Sequence, residues 1–273
     1  MTPAPKSIKC RLCDGTANFE FARQAADGDV IDYFICTNCG SLETEDPYWL
    51  TSYHPSGEGD LLNLDTYAAE RTLRSRVSIY LIWRLVGFHM QREKLLDWGG
   101  GVGLLVRLLR DIGIDAHLYD KYASNHYASG FSMSMMEKYD MVTAFEVLEH
   151  LIKPSKELAD LFDLQPTVVV ASTMLFNGQG ADWSYLGPAK SEHVFFYSER
   201  ALRLIGNRFG YSVEILKTNI IIFYKNPISR FRIRIAAALT SRNYLSGVLF
   251  AVIRHKSYCD ADNQAIRAML QSD

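Results

Sequence analysis

Glu93-Lys-Leu-Leu-Asp-Trp-Gly-Gly-Gly-Val-Gly-Leu-Leu-Val-Arg-Leu-Leu-Arg-Asp-Ile-Gly113 is the stretch on which the fold turns. It reads as a short apolar strand, a glycine-dense turn and a helix with apolar residues at helical spacing. Gly113 stands where a left-handed helix cap is wanted. Glycines belong where a backbone turns sharply and a ligand must come close, because they carry no Cβ. A strand, loop and helix in this order form the ligand-binding corner of doubly wound α/β folds.

The glycine register narrows the ligand. A dinucleotide fingerprint needs Gly-x-Gly-x-x-Gly. Counted from Gly99 the sixth position is Leu104, and from Gly101 it is Val106, so neither frame supplies the small residue needed at a pyrophosphate. No Gly-Lys-Ser/Thr follows, which excludes a P-loop. The pattern that stands is Asp97-x-Gly99-x-Gly101-x-Gly103.

Downstream, Ile114 to Asp120 reads as a second strand ending on an acid, 17 residues beyond Gly103. An acid at this strand end accepts hydrogen bonds from ribose hydroxyls in nucleotide-binding α/β folds. Lys121 to Lys138 has no assignable period. Tyr139 to Glu146 is the next strand, with Phe145 and Glu146 at its carboxyl end, where ligands sit. For Glu149 and His150 one reading gives His150 a catalytic role, and the preferred one has both opening the following helix. Thr167 to Ser172 is a β-branched run suited to a buried parallel strand. The long segment Thr173 to Ser191, with Trp183 and Tyr185, is expected to be a substrate-facing lid, and Glu192-His193 follows it. Ser198 caps a helix over Glu199 to Arg208. Tyr211 to Leu216 and Ile220 to Tyr224 then form a hairpin that puts an antiparallel strand at an edge.

Upstream, Cys10-Arg-Leu-Cys13 and Cys36-Thr-Asn-Cys39 are separated by 22 residues. Each Cys-x-x-Cys turn aims two thiolates at one point, and two such turns complete a four-sulfur site suited to a structural Zn2+. Such a site is closed, so no catalysis is expected at that metal. Cys259 is read as an ordinary side chain. Glu43 to Asp60 reads as a linker, loop or lid. A helix follows over Asn63 to His89 with Leu73, Val77, Tyr80, Leu81 and Leu85 on its apolar face, and Arg71, Arg74 and Arg76 are read as a solvated face. Beyond Pro227 the chain is helical and basic, read as packing on the main domain.

The chain has 273 residues with 48% hydrophobic and 22% charged, which suits a soluble protein with a full core. A formal net charge of -2 gives no electrostatic case for nucleic-acid binding. The apolar stretch Ile233 to Ile253 is broken by Arg234, Arg242 and Asn243 and falls short of a membrane span. The start lacks a signal-type apolar region, so a cytoplasmic protein is expected.

The acid and spaced glycines of Asp97 to Gly103 resemble the first motif of the class I S-adenosylmethionine-dependent methyltransferases. Tyr139-Asp-Met-Val-Thr-Ala-Phe-Glu-Val-Leu-Glu-His-Leu151 is similar to the fourth-strand motif of one large branch of that family, and the terminal hairpin to its reversed last strand. The resemblance covers Glu93 to Lys225. It implies a Rossmann-like, doubly wound α/β sheet with a terminal antiparallel strand. It also implies donor binding by Asp97, Gly99, Gly101, Gly103, Asp120, Phe145 and Glu146. Four cysteines ahead of such a domain look like the sugar C-methyltransferases that act on nucleotide-linked deoxy-keto sugars, whose Glu-His pair is matched by Glu192-His193. That resemblance implies His193, with Glu192, as the catalytic base. Histidine suits the work near neutral pH. The motif before the pair departs from those enzymes, as does the short carboxyl-terminal extension.

The expected organisation is a zinc-ribbon module over 1–45, a linker and helix over 46–90, a methyltransferase domain over 91–225 and a helical extension over 226–273. The expected activity is base-assisted methyl transfer from S-adenosylmethionine to a small molecule such as a nucleotide-linked sugar or glycan precursor. Two alternatives are an RNA-modifying methyltransferase docked through the ribbon, and a non-catalytic donor-binding scaffold.

Overall fold

The computed structural model describes residues 7–51, 68–216, 219–225, 228–240, 248 and 256–271. The amino-terminal part is a ribbon of β1 (Ser7–Lys9), β2 (Thr16–Gln24), β3 (Val30–Cys36) and β4 (Leu42–Thr44), followed by one helical turn, α1 (Tyr48–Thr51). The remainder of the expected loop, 52–60, and the start of the expected helix, 63–67, lie outside the described residues. The helix itself, α2, runs Ala68–Val86. Then come β5 (Lys94–Trp98), α3 (Leu104–Arg110), β6 (Asp115–Tyr119), β7 (Met141–Phe145), α4 (Pro154–Phe162), β8 (Val168–Ser172), β9 (Phe195–Phe196), α5 (Glu199–Phe209), β10 (Ser212–Ile215), β11 (Ile220–Tyr224), α6 (Arg230–Thr240) and α7 (Cys259–Gln271).

Six strands form the central sheet in the order β10-β11-β8-β7-β5-β6. β6, β5, β7 and β8 are parallel, and β11 runs against β8. This is the doubly wound α/β sheet with a reversed terminal strand that the sequence predicts. As the hairpin predicts, the edge strand β10 pairs antiparallel with its neighbour; β11 lies between β8 and β10. Composition gives the reason. Ile220-Ile-Ile-Phe-Tyr224 is apolar on both faces and is buried almost throughout, as an interior strand must be. Ser212-Val-Glu-Ile215 is polar enough to face water and takes the edge. On the other side the sheet extends past β6 by a single parallel bridge, Leu118 to Ser132, within the stretch that had no readable period.

The apolar faces of α2, α3 and α6 share one core with the sheet, including Ile79, Trp83, Val106, Leu109 and Ile233. Burial on α2 begins only at Ile79, where these helices converge. Leu73, expected on the buried face, therefore stays 44% exposed. Arg71 and Arg74 are exposed as expected, while Arg76 is half-buried. The carboxyl-terminal helix α7 packs on the domain through Asp262, whose carboxylate accepts from Arg110 Nε and Nη2, each at 2.8 Å. The thiol of Cys259 donates to Asp111 Oδ1 at 3.0 Å. No described helix is long and apolar enough to cross a membrane.

The second sheet is antiparallel throughout, ordered β1-β2-β3-β4-β9. Its last strand, β9, comes from just beyond His193, with Leu42 opposite Phe196 and Glu43 opposite Phe195. The ribbon thus completes itself with a strand from the other half of the chain. The segment expected as a lid is packed beneath it: Phe176 and Leu186 are buried in one cluster with Ile31, Tyr33, Leu42 and Phe196. Trp183 and Tyr185 turn their rings onto Phe196. Large aromatic surfaces gain more from this burial than from facing solvent, and these side chains anchor the segment against the ribbon.

Candidate active site

The glycine turn follows β5 because Asp97, at 2% exposure, is buried beneath it. Thr143 Oγ1 donates to Asp97 Oδ1 at 2.6 Å. Burial pushes this carboxyl up to about 6, against the Thr143 hydrogen bond and with a smaller contribution from the Asp120 charge. A Cβ on Gly100 would lie 2.2 Å from Asp97 Oδ2, and one on Gly99, at φ +75°, would lie 2.7 Å from Val147 Cγ2. The turn therefore closes down on Asp97, which acts on any ligand through the turn backbone. Gly101 differs: the space where its Cβ would be is open.

Asp120, at the end of β6, ties the two loops together. Its Oδ2 accepts from the Gly101 amide at 2.8 Å, and its Oδ1 from the Tyr122 and Ala123 amides, both at 2.8 Å. A carboxylate has about four acceptor positions, so one remains for a ligand. Beside it lies a cavity of about 530 Å³, lined among others by Trp98, Gly99, Gly101, Asp120, Glu146, His150 and Glu192. Trp98 and Tyr119 stack at 6.2 Å between centroids as an aromatic wall. Glu146 adopts a left-handed backbone, φ 52°, and its Oε1 accepts from Ser172 Oγ at 2.6 Å. Of the other residues predicted to meet the donor, Gly103 caps α3 at φ 86° and Phe145 packs into the core, so both shape the cavity from behind its lining.

Glu149 and His150 form a 3-10 turn, Leu148–His150, and the helix opens only at Pro154. Their reading as helix-start residues gives way to a different picture. Glu149 is fully buried; its Oε1 accepts from the Tyr185 hydroxyl at 2.5 Å and its Oε2 has no hydrogen-bond partner. Burial, reinforced by the charge of Glu146, pushes its carboxyl up to about 7. The His150 and His193 rings meet edge-on at 4.8 Å. Burial, with His193 beside it, holds the His150 imidazole down to about 4. His193 Nδ1 lies 2.7 Å from the Tyr185 carbonyl oxygen, and His150 Nδ1 lies 3.2 Å from that of Glu192. A carbonyl only accepts, so each Nδ1 carries the hydrogen and each Nε2 keeps its lone pair. His150 and Glu192 line the cavity, while His193 stands beyond its lining. A repeated Glu-His dipeptide, at 149–150 and 192–193, is the sequence signal that could have joined the two pairs.

At the ribbon, Cys10 Sγ and Cys39 Sγ are 3.8 Å apart and Cys13 Sγ and Cys36 Sγ 3.5 Å, with all four sulfurs within 4.8 Å of one another. A tetrahedral four-thiolate zinc site has sulfurs about 3.8 Å apart from bonds of about 2.3 Å, so the set fits such an ion.

A sequence model of the methyltransferase-domain family matches residues 70–215, more than half of the chain. The chain belongs to this family. The match runs from within α2 to the end of β10. Among solved structures, the magnesium protoporphyrin IX methyltransferase from Synechocystis PCC 6803 with bound SAH is 15% identical, covering 66% of this chain and 94% of that one at a TM-score of 0.42. The 1,6-didemethyltoxoflavin-N1-methyltransferase of Burkholderia thailandensis is 13% identical, covering 81% of this chain and 99% of that one at a TM-score of 0.44. No curated protein sequence matches significantly.

Proposed function

We propose that this methyltransferase transfers the methyl group of S-adenosylmethionine to a small hydroxylated molecule, a sugar or glycan precursor such as a nucleotide-linked sugar. One observation carries the reading: the glycine turn with Asp120 and the His150–Glu192 edge line the same cavity. Donor and acceptor could then meet in one space.

The residues fit the donor. Asp120 retains an acceptor position for ribose hydroxyls, Gly101 leaves open space for close backbone approach, and Trp98 with Tyr119 offers an aromatic wall. When bound, S-adenosylmethionine supplies an electrophilic methyl on a sulfonium. Glu146 holds its carboxylate at the cavity through Ser172, where negative charge favours a cationic donor. His193, with Nδ1–H held by the Tyr185 carbonyl, has the tautomer needed to take a proton at Nε2, and Glu192 fixes the neighbouring imidazole through its carbonyl. Asp120, Glu146, Glu157, Asp160 and Glu192 line the cavity with acceptors suited to the hydroxyl donors of a sugar. The four-cysteine site would hold Zn2+ structurally and has no part in the reaction.

The test is calorimetry with S-adenosylmethionine and S-adenosylhomocysteine on the full chain, followed by labelled donor and nucleotide-sugar pools with mass analysis of products. Binding that falls at least about tenfold in Asp120→Ala, a loss of 1.4 kcal/mol or more, is expected. A His193→Ala variant should keep donor binding and lose turnover. Absence of donor binding by the intact protein would sink the reading, and full turnover in His193→Ala would remove the base.

A further inference from the structure

The turn after β7 and the segment before β9 bring Glu149, His150 and His193 together, with one potential ligand atom of each within 4.8 Å of the others. A single base accounts for one of these three groups. Both imidazoles direct Nδ1–H at backbone carbonyls, those of Tyr185 and Glu192, and so present free Nε2 lone pairs. Metal-binding histidines are held in this way, their second ring nitrogen tied to a carbonyl or carboxylate. The carboxylate supplies an independent observation. Glu149 is 0% exposed, yet Oε2 has no partner, and buried polar atoms are almost always satisfied. Among the described residues no lysine or arginine pairs with Glu149, so its charge lacks a counter-ion.

We propose that Glu149, His150 and His193 bind a divalent first-row cation such as Zn2+ through one carboxylate oxygen and two imidazole nitrogens. This donor set is borderline in softness and suits zinc or its first-row neighbours. Bonds of about 2.1 Å at tetrahedral angles place ligand atoms about 3.4 Å apart, so the three side chains draw together on the ion. Three protein ligands leave a position open, unlike the closed set of four cysteines at the ribbon. His150 lines the cavity, so the open position is reachable from it. The site's use rests on the proposed methyl transfer, because a cation on His193 and the proton that His193 would take as base compete for the same Nε2 lone pair. Cation binding itself does not depend on that reading.

The experiment titrates Zn2+ and Co2+ into the metal-stripped full chain, with metal stoichiometry by elemental analysis. Two equivalents are expected, one showing thiolate-to-cobalt charge transfer and one showing only ligand-field bands of nitrogen and oxygen ligation. Glu149→Gln and His150→Ala should each remove the second equivalent and leave the first, with unchanged circular dichroism as the folding control. One equivalent in the wild type, or a second that survives both substitutions, overturns the proposal. Donor calorimetry on the same samples separates the two readings: two equivalents without donor binding keep the cation site and discard the methyl-transfer reading. Donor binding with one equivalent does the reverse.

Discussion

Arg11 Nη2 donates to the Val194 carbonyl oxygen at 2.6 Å, joining the first cysteine turn to the residue after His193. The same guanidinium reaches the Thr44 and Ile152 carbonyls at 3.1 and 3.3 Å, and its Nε meets Glu43 Oε2 at 2.9 Å. With β9 paired on β4, this makes the ribbon the scaffold of the segment that carries Glu192 and His193. A role in docking RNA is not needed to explain its presence.

Arg11→Ala should therefore cost more than a surface change. Glu43 is fully buried, and removing its partner leaves an uncompensated charge, a loss of about 3–5 kcal/mol. The urea midpoint should fall accordingly, with little change in m. Arg11→Lys should recover only part of the loss, since one ammonium cannot reproduce the planar fork.

Metal removal at the ribbon should reach the cavity, although no cysteine lines it. Ser198, which caps α5, also donates its Oγ to the Cys39 carbonyl at 2.5 Å, adding a second link. Cys36→Ser should speed hydrogen exchange across residues 192–198 and weaken methyl transfer. Unchanged protection there would show that the ribbon and the site are independent.

Gly99 and Gly101 should respond oppositely. Gly99→Ala meets Val147 at 2.7 Å with φ +75° and should destabilise the fold, by about 2 kcal/mol or more for the clash and the left-handed backbone together. Gly101→Ala has open space at its Cβ, so the loss of stability should be about 1 kcal/mol, from φ alone. Its methyl intrudes where the donor would lie, and calorimetry should show weakened donor affinity in a folded protein.

Asp97 sets a pH dependence. Its folded carboxyl is raised from 3.8 to about 6, so the folded state holds the proton more tightly than the unfolded state. Wild-type stability should then fall as pH rises from about 4 to 6, by an amount on the order of 3 kcal/mol. Asp97→Asn keeps an acceptor for Thr143 but cannot ionise. Its stability relative to wild type should improve over that window, measured by urea midpoints at pH 4 and 7. A flat difference would mean that Asp97 is not titrating as its burial requires.

Several features were open to reading because their signals are local. Glycine spacing after an apolar run, Cys-x-x-Cys turns, the β-branched run of β8 and the Ser198 cap each depend on neighbours a few residues away. The Ser198 hydroxyl indeed accepts from the Ala201 amide at 3.0 Å. The stretch Lys121 to Lys138 resisted reading because it forms loops held by side chains, such as Asn125 Oδ1 accepting from the Ala128 amide at 2.9 Å, with no repeating backbone pattern.

Sequence alone determined the doubly wound domain, the glycine corner with Asp97 and Asp120, and the four clustered cysteines. Tertiary structure decided that β11 lies inside the sheet, that β9 completes the ribbon, and that the aromatic segment before Glu192 is anchored on it. It also decided the chemistry of Glu149. A glutamate after an apolar strand looks like a helix start until Tyr185, 36 residues away, buries against it. Desolvation and partner choice are set by groups distant in sequence, and no local pattern encodes them.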